Sequence, residues 1–265
     1  MYLSHPSVVI DWNYVRSEHE PQIPSGYQCI ICDQTLHEIA HTTSKDGVPH
    51  WEPFCWKFFT WARAVRDRLW VARLPGMLFA IEQQRNSRLA YAEIVSLEAS
   101  ERLRRSLKDR NVDWIAEMNA VRGAAADQER SAHKVDFVQF GESIFELASQ
   151  LRAKKIWVPQ TPEEKLAMAS DPNFLAAQMR NFRKNIPEAW PDQILQNINR
   201  YAYARWLRIN CWYALNYTPG KNSKYGNNYD DAVYALFGSY TGHLATHDAK
   251  LRCMMSHLFQ GIRFL

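Results

Sequence analysis

Five acidic residues in this chain occupy positions at which carboxylates can work together. Asp11 closes the β-branched run Ser7-Val8-Val9-Ile10, and Glu38 lies in the second turn of the helix expected after Cys29-Ile30-Ile31-Cys32. Asp230 and Asp231 open an apolar helix, and Asp248 follows the short run His243-Leu244-Ala245-Thr246. In open α/β sheets, ligands bind beyond the carboxyl ends of the strands, so acids placed there face a site and not a core. Crowded carboxylates repel one another, and a hard divalent cation relieves that repulsion. Mg²⁺ prefers oxygen ligands, keeps several waters and adds substrate phosphates to its shell. The chemistry such a donor set suits is metal-assisted attack of water on a phosphodiester, with the ion generating the nucleophile and offsetting charge on the leaving oxygen.

The elements that must position these acids follow from hydropathy patterning. Short apolar runs at Ser7–Ile10, Cys29–Cys32 and His243–Thr246, and a last one at Gly261–Leu265, alternate with helical patterns at both ends of the chain, which predicts a small parallel sheet. Asp33 is placed to cap the helix carrying Leu36, Ile39 and Ala40. Between the two ends, helical spacing dominates: Phe54, Phe58, Trp61, Val65 and Leu69; then Phe137, Phe140, Ile144, Leu147 and Leu151; then Ile198, Ala202, Trp206, Ile209 and Tyr213. Pro75, Gly123, the Pro159–Pro162 segment, Pro172 and the Pro187–Pro191 segment divide this region into five or six helices. The resulting expectation is an α/β core from residues 1–53 and 218–265, with a large α-helical insertion over 54–217 packed on it.

The motifs Ile10-Asp11-Trp12-Asn13, Ile30-Ile31-Cys32-Asp33-Gln34-Thr35-Leu36-His37-Glu38-Ile39, Asp230-Asp231-Ala232-Val233-Tyr234-Ala235 and Leu244-Ala245-Thr246-His247-Asp248 resemble, in this order, the successive motifs of PIN-domain nucleases. The resemblance covers roughly the first 45 and last 40 residues, and its weight lies in the ordered co-occurrence of individually degenerate motifs. It implies a PIN-like, Rossmann-type α/β/α sandwich and a hydrolase, an endoribonuclease, whose acids bind Mg²⁺ or Mn²⁺ and cleave RNA or, less often, single-stranded DNA. Asp11, Glu38, one of Asp230 or Asp231, and Asp248 would be the ligating and catalytic acids, with Thr246 the small hydroxyl residue beside the last. The following Ala favours Asp231, whereas spacing to Asp248 favours Asp230. The helical stretch departs from the family pattern by its length, and it is where a protein partner or regulator would bind.

Other chemistries compete for the same residues. His37-Glu38-Ile39-Ala40-His41 is a literal H-E-x-x-H, which on a helix presents two imidazoles to Zn²⁺ with the Glu as general base; His50 could supply a third ligand. This resembles SprT-like zinc metalloproteases, although only 36 residues precede the motif and the C-terminal acids would go unused. Cys29 and Cys32 with His37 and His41 have the spacing of a zinc knuckle, yet Ile30-Ile31 between the cysteines reads as buried strand. A third reading is a non-catalytic protein whose helices hold a partner.

Composition sets wider bounds. The 265 residues suffice for one large core, and the formal charge of +4 permits a polyanionic partner without the strong basic excess of many nucleic-acid binders. Five cysteines, an odd number, argue against a disulfide framework and for a reducing, cytoplasmic setting. No basic leader precedes an apolar run, and nothing approaches a membrane span. The basic runs Arg102, Arg104, Arg105, Lys108, Arg110 and Arg200, Arg205, Arg208 are expected to be solvated helix faces, the second interleaved with aromatics that would suit phosphate contact.

Overall fold

The computed structural model describes residues 3–4, 6–17, 23–42, 50–109, 113, 124–182, 199–216 and 227–265. The expected breaks at Gly123 and Pro187–Pro191, together with Ile198 and Arg110, lie outside these residues, and of the loop expected over 218–228 the two described residues, Asn227 and Asn228, instead open a helix. Six strands, β1 (Ser7–Ile10), β2 (Gln28–Ile31), β3 (Leu69–Ala72), β4 (Val95–Ser96), β5 (His243–Ala245) and β6 (Arg263–Phe264), form one sheet in the order β4-β3-β2-β1-β5-β6. Every neighbouring pair is parallel except β3 with β4. The chain therefore builds outward from β1 through β2 to β3, then returns to the other side of β1. Strand order reverses between β1 and β5, and at such a switch point a crevice opens beyond the carboxyl ends.

The pleat sends alternate residues to opposite faces, and helices cover both. Val8, Ile10, Cys29, Ile31, Leu69 and Ala245 pack with Trp12 and Val15 of α1 (Trp12–Arg16), Ile39 of α2 (Asp33–Ala40), Phe58 and Phe59 of α3 (Glu52–Ala64) and Leu107 of α5 (Leu97–Lys108). Val9, Ile30, Trp70 and Leu244 pack on the other face. There they meet Leu78 of α4 (Pro75–Arg85), Phe140 of α6 (Ala124–Ala153), Leu207 and Ile209 of α9 (Ala202–Leu215), Tyr234 and Phe237 of α10 (Asn227–Thr241), and Met254 of α11 (Ala249–Leu258). The helices α7 (Pro162–Ser170) and α8 (Pro172–Phe182) complete this layer beside α9. Burial on both faces explains why the central strands read as unbroken apolar runs instead of alternating ones. No helix among the described residues is long and apolar enough to cross a membrane.

Three expectations need correction. The sheet is mixed and six-stranded, and β3 and β4 come from inside 54–217, the stretch assigned above to helices alone. Leu69 continues the apolar spacing of Phe54, Phe58, Trp61 and Val65, which hides the point where α3 ends and a 3₁₀ turn at Arg66–Arg68 releases the chain into β3. Runs of four and two residues are also too short for periodicity to tell strand from helix. The basic faces are only partly solvated. Arg102, Arg105 and Lys108 are exposed, but Arg104 Nε donates to the Leu69 carbonyl at 2.9 Å and its guanidinium lies 4.2 Å over the Trp70 ring. Arg208 is buried, donating to the Leu258 carbonyl at 3.0 Å and Ser170 Oγ at 2.9 Å. Finally, Asp33 is the first helical residue of α2, and Cys32 holds the cap position without a side-chain bond.

Glu82 of α4 stabilises a helix to which it does not belong. The N-cap of α9, Tyr201, offers no side-chain acceptor, and the Glu82 carboxylate takes the Ala202 and Tyr203 N–H groups at 2.7 and 3.2 Å. Helix N-termini leave N–H groups without intrahelical partners, so this acid ties α4 to α9 while neutralising two of them. Glu82→Ala is expected to lower unfolding free energy by about 2 kcal/mol or more, and Glu82→Gln, which keeps an acceptor, by less; urea titration of both variants measures the difference.

Candidate functional site

The acids converge on the switch point. Asp11 leaves β1 with its backbone N–H on the Ala245 carbonyl at 3.0 Å and its side chain capping α1, where Oδ1 accepts from Asn13 N–H at 3.2 Å. The other oxygen, Oδ2, accepts from the Thr246 hydroxyl at 2.5 Å, and that hydroxyl in turn accepts from Asp248 N–H at 3.0 Å. Asp248 caps α11, with Oδ1 taking Leu251 N–H at 2.7 Å. Two acids on adjacent strands are thus linked through one threonine.

Glu38 and the acid pair arrive from helices. The half-buried Glu38, on α2, accepts from the Tyr234 hydroxyl at 2.6 Å. That hydroxyl also lies 3.2 Å from Thr35 Oγ1, which donates to the Ile10 carbonyl at 3.4 Å, so Glu38 is tied through two side chains to the end of β1. Asp230 and Asp231 sit near the start of α10, four and three residues before Tyr234, so a single helix brings both acids and the Glu38 partner to one place. Asp230 is buried and Asp231 half-buried.

Electrostatics bind the five into a set. Burial, followed by the charge of Asp248, pushes the Asp11 carboxyl up to about 6 against the pull of the Thr246 and Asn13 hydrogen bonds. Burial with the charges of Asp248, Asp11 and Asp230 pushes Asp231 up to about 7, partly opposed by Lys250. Glu38 rises well above the carboxylate range, through burial first and then the charges of Asp11, Asp230 and Asp231, with the Tyr234 bond opposing. Asp231 couples to Asp11, Glu38 and Asp248, and Asp230 raises both Glu38 and Asp231.

Lys250, Tyr234 and Thr35 are site residues that the sequence reading missed. Lys250 donates from Nζ to Asn228 Oδ1 at 2.5 Å, lies 4.9 Å over the Tyr213 ring, and feels the charges of Asp231 and Asp248. A lysine in the first turn of a helix opposes the macrodipole, and that misplacement was its available signal. Tyr234 follows Asp230 by four residues, one helical face along, which spacing alone could have flagged.

The histidines form a different arrangement from a zinc site. The rings of His37 and His41 stack with centroids 3.8 Å apart and planes 21° from parallel, and His41 Nδ1 lies 3.0 Å from the His37 carbonyl. Lone pairs of ring nitrogens lie in the ring planes, so near-parallel stacked rings do not aim at one tetrahedral ion. His50 is exposed and meets Phe54 edge to face at 5.7 Å. Cys29 and Cys32 are buried thiols whose deprotonation burial opposes, Cys29 being pushed up to about 12. Among the described residues no three His, Cys, Asp or Glu side chains stand close enough together to make a ready ion cage. That holds for the five acids too, which share a field without closing into a coordination shell. No protein-family model, curated protein or solved structure matches the chain.

The raised carboxyls have a signed consequence for stability. Between the ordinary carboxyl range and about 6, folded protein holds a proton on Asp11 that the unfolded chain has released, so stability falls as pH rises through that window. Asp231 extends the fall to about 7. Metal-free protein is therefore expected to lose up to about 3 kcal/mol through Asp11 alone between about pH 4 and pH 7. Urea titrations across that range in chelator measure it, and stability that stayed level or rose would contradict crowding of these acids.

Proposed function

We propose that this protein is a PIN-like, metal-dependent nuclease that hydrolyses phosphodiester bonds in RNA. The observation that carries this is the mutual electrostatic coupling of acids from opposite ends of the chain at the switch point between β1 and β5. The donors are hard oxygens, they are partly buried, and their charges push one another's carboxyls upward, which is the condition a divalent cation relieves. Asp11, Glu38, Asp231 and Asp248 would hold Mg²⁺ or Mn²⁺, with water completing the shell because no closed cage is formed. When bound, the ion supplies charge stabilisation for the phosphodiester and a more acidic water.

The chain's own residues do the rest. Thr246 and the Asn13 N–H hold the Asp11 carboxylate in one orientation, and the Leu251 N–H does the same for Asp248, so the acids meet the ion without first losing rotamer freedom. Tyr234 fixes Glu38 and favours its charged form. Lys250, beside Asp231 and Asp248, brings positive charge to a rim that would otherwise repel a phosphate backbone.

The test is cleavage of single-stranded RNA with Mg²⁺ or Mn²⁺, run beside single-stranded DNA. Asp11→Asn, Glu38→Gln, Asp231→Asn and Asp248→Asn are each expected to reduce the rate by on the order of 10²-fold or more, Asp230→Asn by less, and chelation to abolish it. Unchanged cleavage by Asp11→Asn would overturn the assignment. Calorimetric Mn²⁺ titration of the same variants reports ligand loss independently of turnover.

A further inference from the structure

A second polar feature lies at the opposite pole of the sheet. A pocket of ≈ 450 Å³ is walled by Arg88, Arg200, Arg205, Tyr91 and Tyr240 together with two apolar residues. Its position is fixed from two directions. Tyr240 lies in the last turn of α10, nine residues after Asp231, which is about 14 Å along the helix axis. The Tyr91 side chain lies beside that of Ser7, the first residue of β1. The pocket therefore belongs to the amino ends of the strands, while the acids gather beyond the carboxyl ends.

Its walls favour an anion. Arg88 and Arg200 are exposed, and Arg205 is held in place by Ser239, donating to Ser239 Oγ at 2.9 Å, with its guanidinium 4.1 Å over the Tyr240 ring. Among the described residues neither Arg205 Nε nor the Tyr240 hydroxyl has a hydrogen-bond partner, although both are buried. The oxygens of an entering anion would accept from the exposed Arg88 and Arg200 guanidiniums, as charge-assisted hydrogen bonds. The nearby acid is Glu82, whose oxygens already accept from Ala202 and Tyr203 N–H. Burial pushes that carboxyl up to about 7, so it cancels only part of the charge of three guanidiniums.

Shape and chemistry narrow the class. Guanidinium forks match phosphate oxygens, and tyrosine rings offer apolar faces with donor ends. The volume falls within the range of about 300–1,000 Å³ usual for small-molecule sites. The geometry points to a binding site for a phosphate monoester, carried either by a free mononucleotide or by the phosphorylated end of a nucleic acid strand. The site is independent of the acid cluster and of the nuclease assignment.

Calorimetry on the full chain in chelator tests it, with AMP, adenosine, inorganic phosphate, and a 5′-phosphorylated oligonucleotide beside its 5′-hydroxyl counterpart as probes. AMP or the phosphorylated oligonucleotide is expected to bind while adenosine and the 5′-hydroxyl strand do not, and preference between the two binders assigns the source of the phosphate. Arg88→Ala and Arg200→Ala, both at exposed positions that leave the core intact, are each expected to weaken binding about tenfold. Asp11→Asn is expected to bind like the unmodified protein. Absence of binding by both phosphate monoesters, affinity unchanged in both arginine variants, or binding lost in Asp11→Asn would each overturn the proposal. None of these outcomes depends on whether RNA is cleaved.

Discussion

The acid end of the molecule depends on the seam between β1 and β5. The two strands pair over only two register positions, Val9 with Leu244 and Ile10 with Ala245, and the seam is finished by side chains: the Thr246 hydroxyl on the Asp11 carboxylate, and the Asp248 N–H on that hydroxyl. One hydroxyl therefore does two things. It positions the acids of adjacent strands, and it stabilises charge on a carboxyl that burial and Asp248 both oppose. Geometry and ionisation at this seam are a single constraint, because a shift in either strand would strip Asp11 of the partner that offsets its desolvation.

Helix α10 spans the molecule from that seam to the opposite pole. Its first turns carry Asp230 and Asp231, its middle carries Tyr234 to Glu38, and its end carries Tyr240 to the arginine pocket. It comes close to the sheet at Gly238, where a Cβ would meet Met255 Cε at 3.2 Å and Leu244 Cβ at 3.6 Å. The missing side chain lets the helix lie down on β5, and the interdigitated layer of Phe237, Leu244 and Met255 beneath it is rigid in the way close-packed interiors are. A buried strut of this kind keeps negative charge at one pole and positive charge at the other.

The sequence made the acids legible because Asp11 and Asp248 follow short apolar runs, Asp230 and Asp231 open an apolar helix, and Glu38 lies one turn into the helix after another such run, and those boundaries survive without tertiary information. What it hid was hidden for physical reasons. Leu69 fits a helical period and a strand equally well, so β3 passed as more helix. Arg104 and Arg208 were read from charge as solvent-facing, yet long aliphatic stems let a guanidinium reach a backbone carbonyl or an aromatic ring inside. Tyr234 was given no role of its own, because nothing local shows that its hydroxyl will meet a carboxylate 196 residues earlier in the chain. The arginine pocket draws on residues 88–91, 200–205 and 240, a combination that only the folded chain assembles.

The seam between β1 and β5 also has a temporal aspect. Asp11 and Thr246 are 235 residues apart, and β1 is an inner strand whose second neighbour is made long after the first. At about 5–20 residues per second, a ribosome takes roughly 10–50 s between the two. Throughout that interval one flank of β1 is an unpaired parallel edge, and Asp11 lacks its threonine. Pairings of such long sequence separation form late and slowly. Whatever the acid cluster does, it falls silent in any chain interrupted before β5, so the site exists only once that strand has been made and paired.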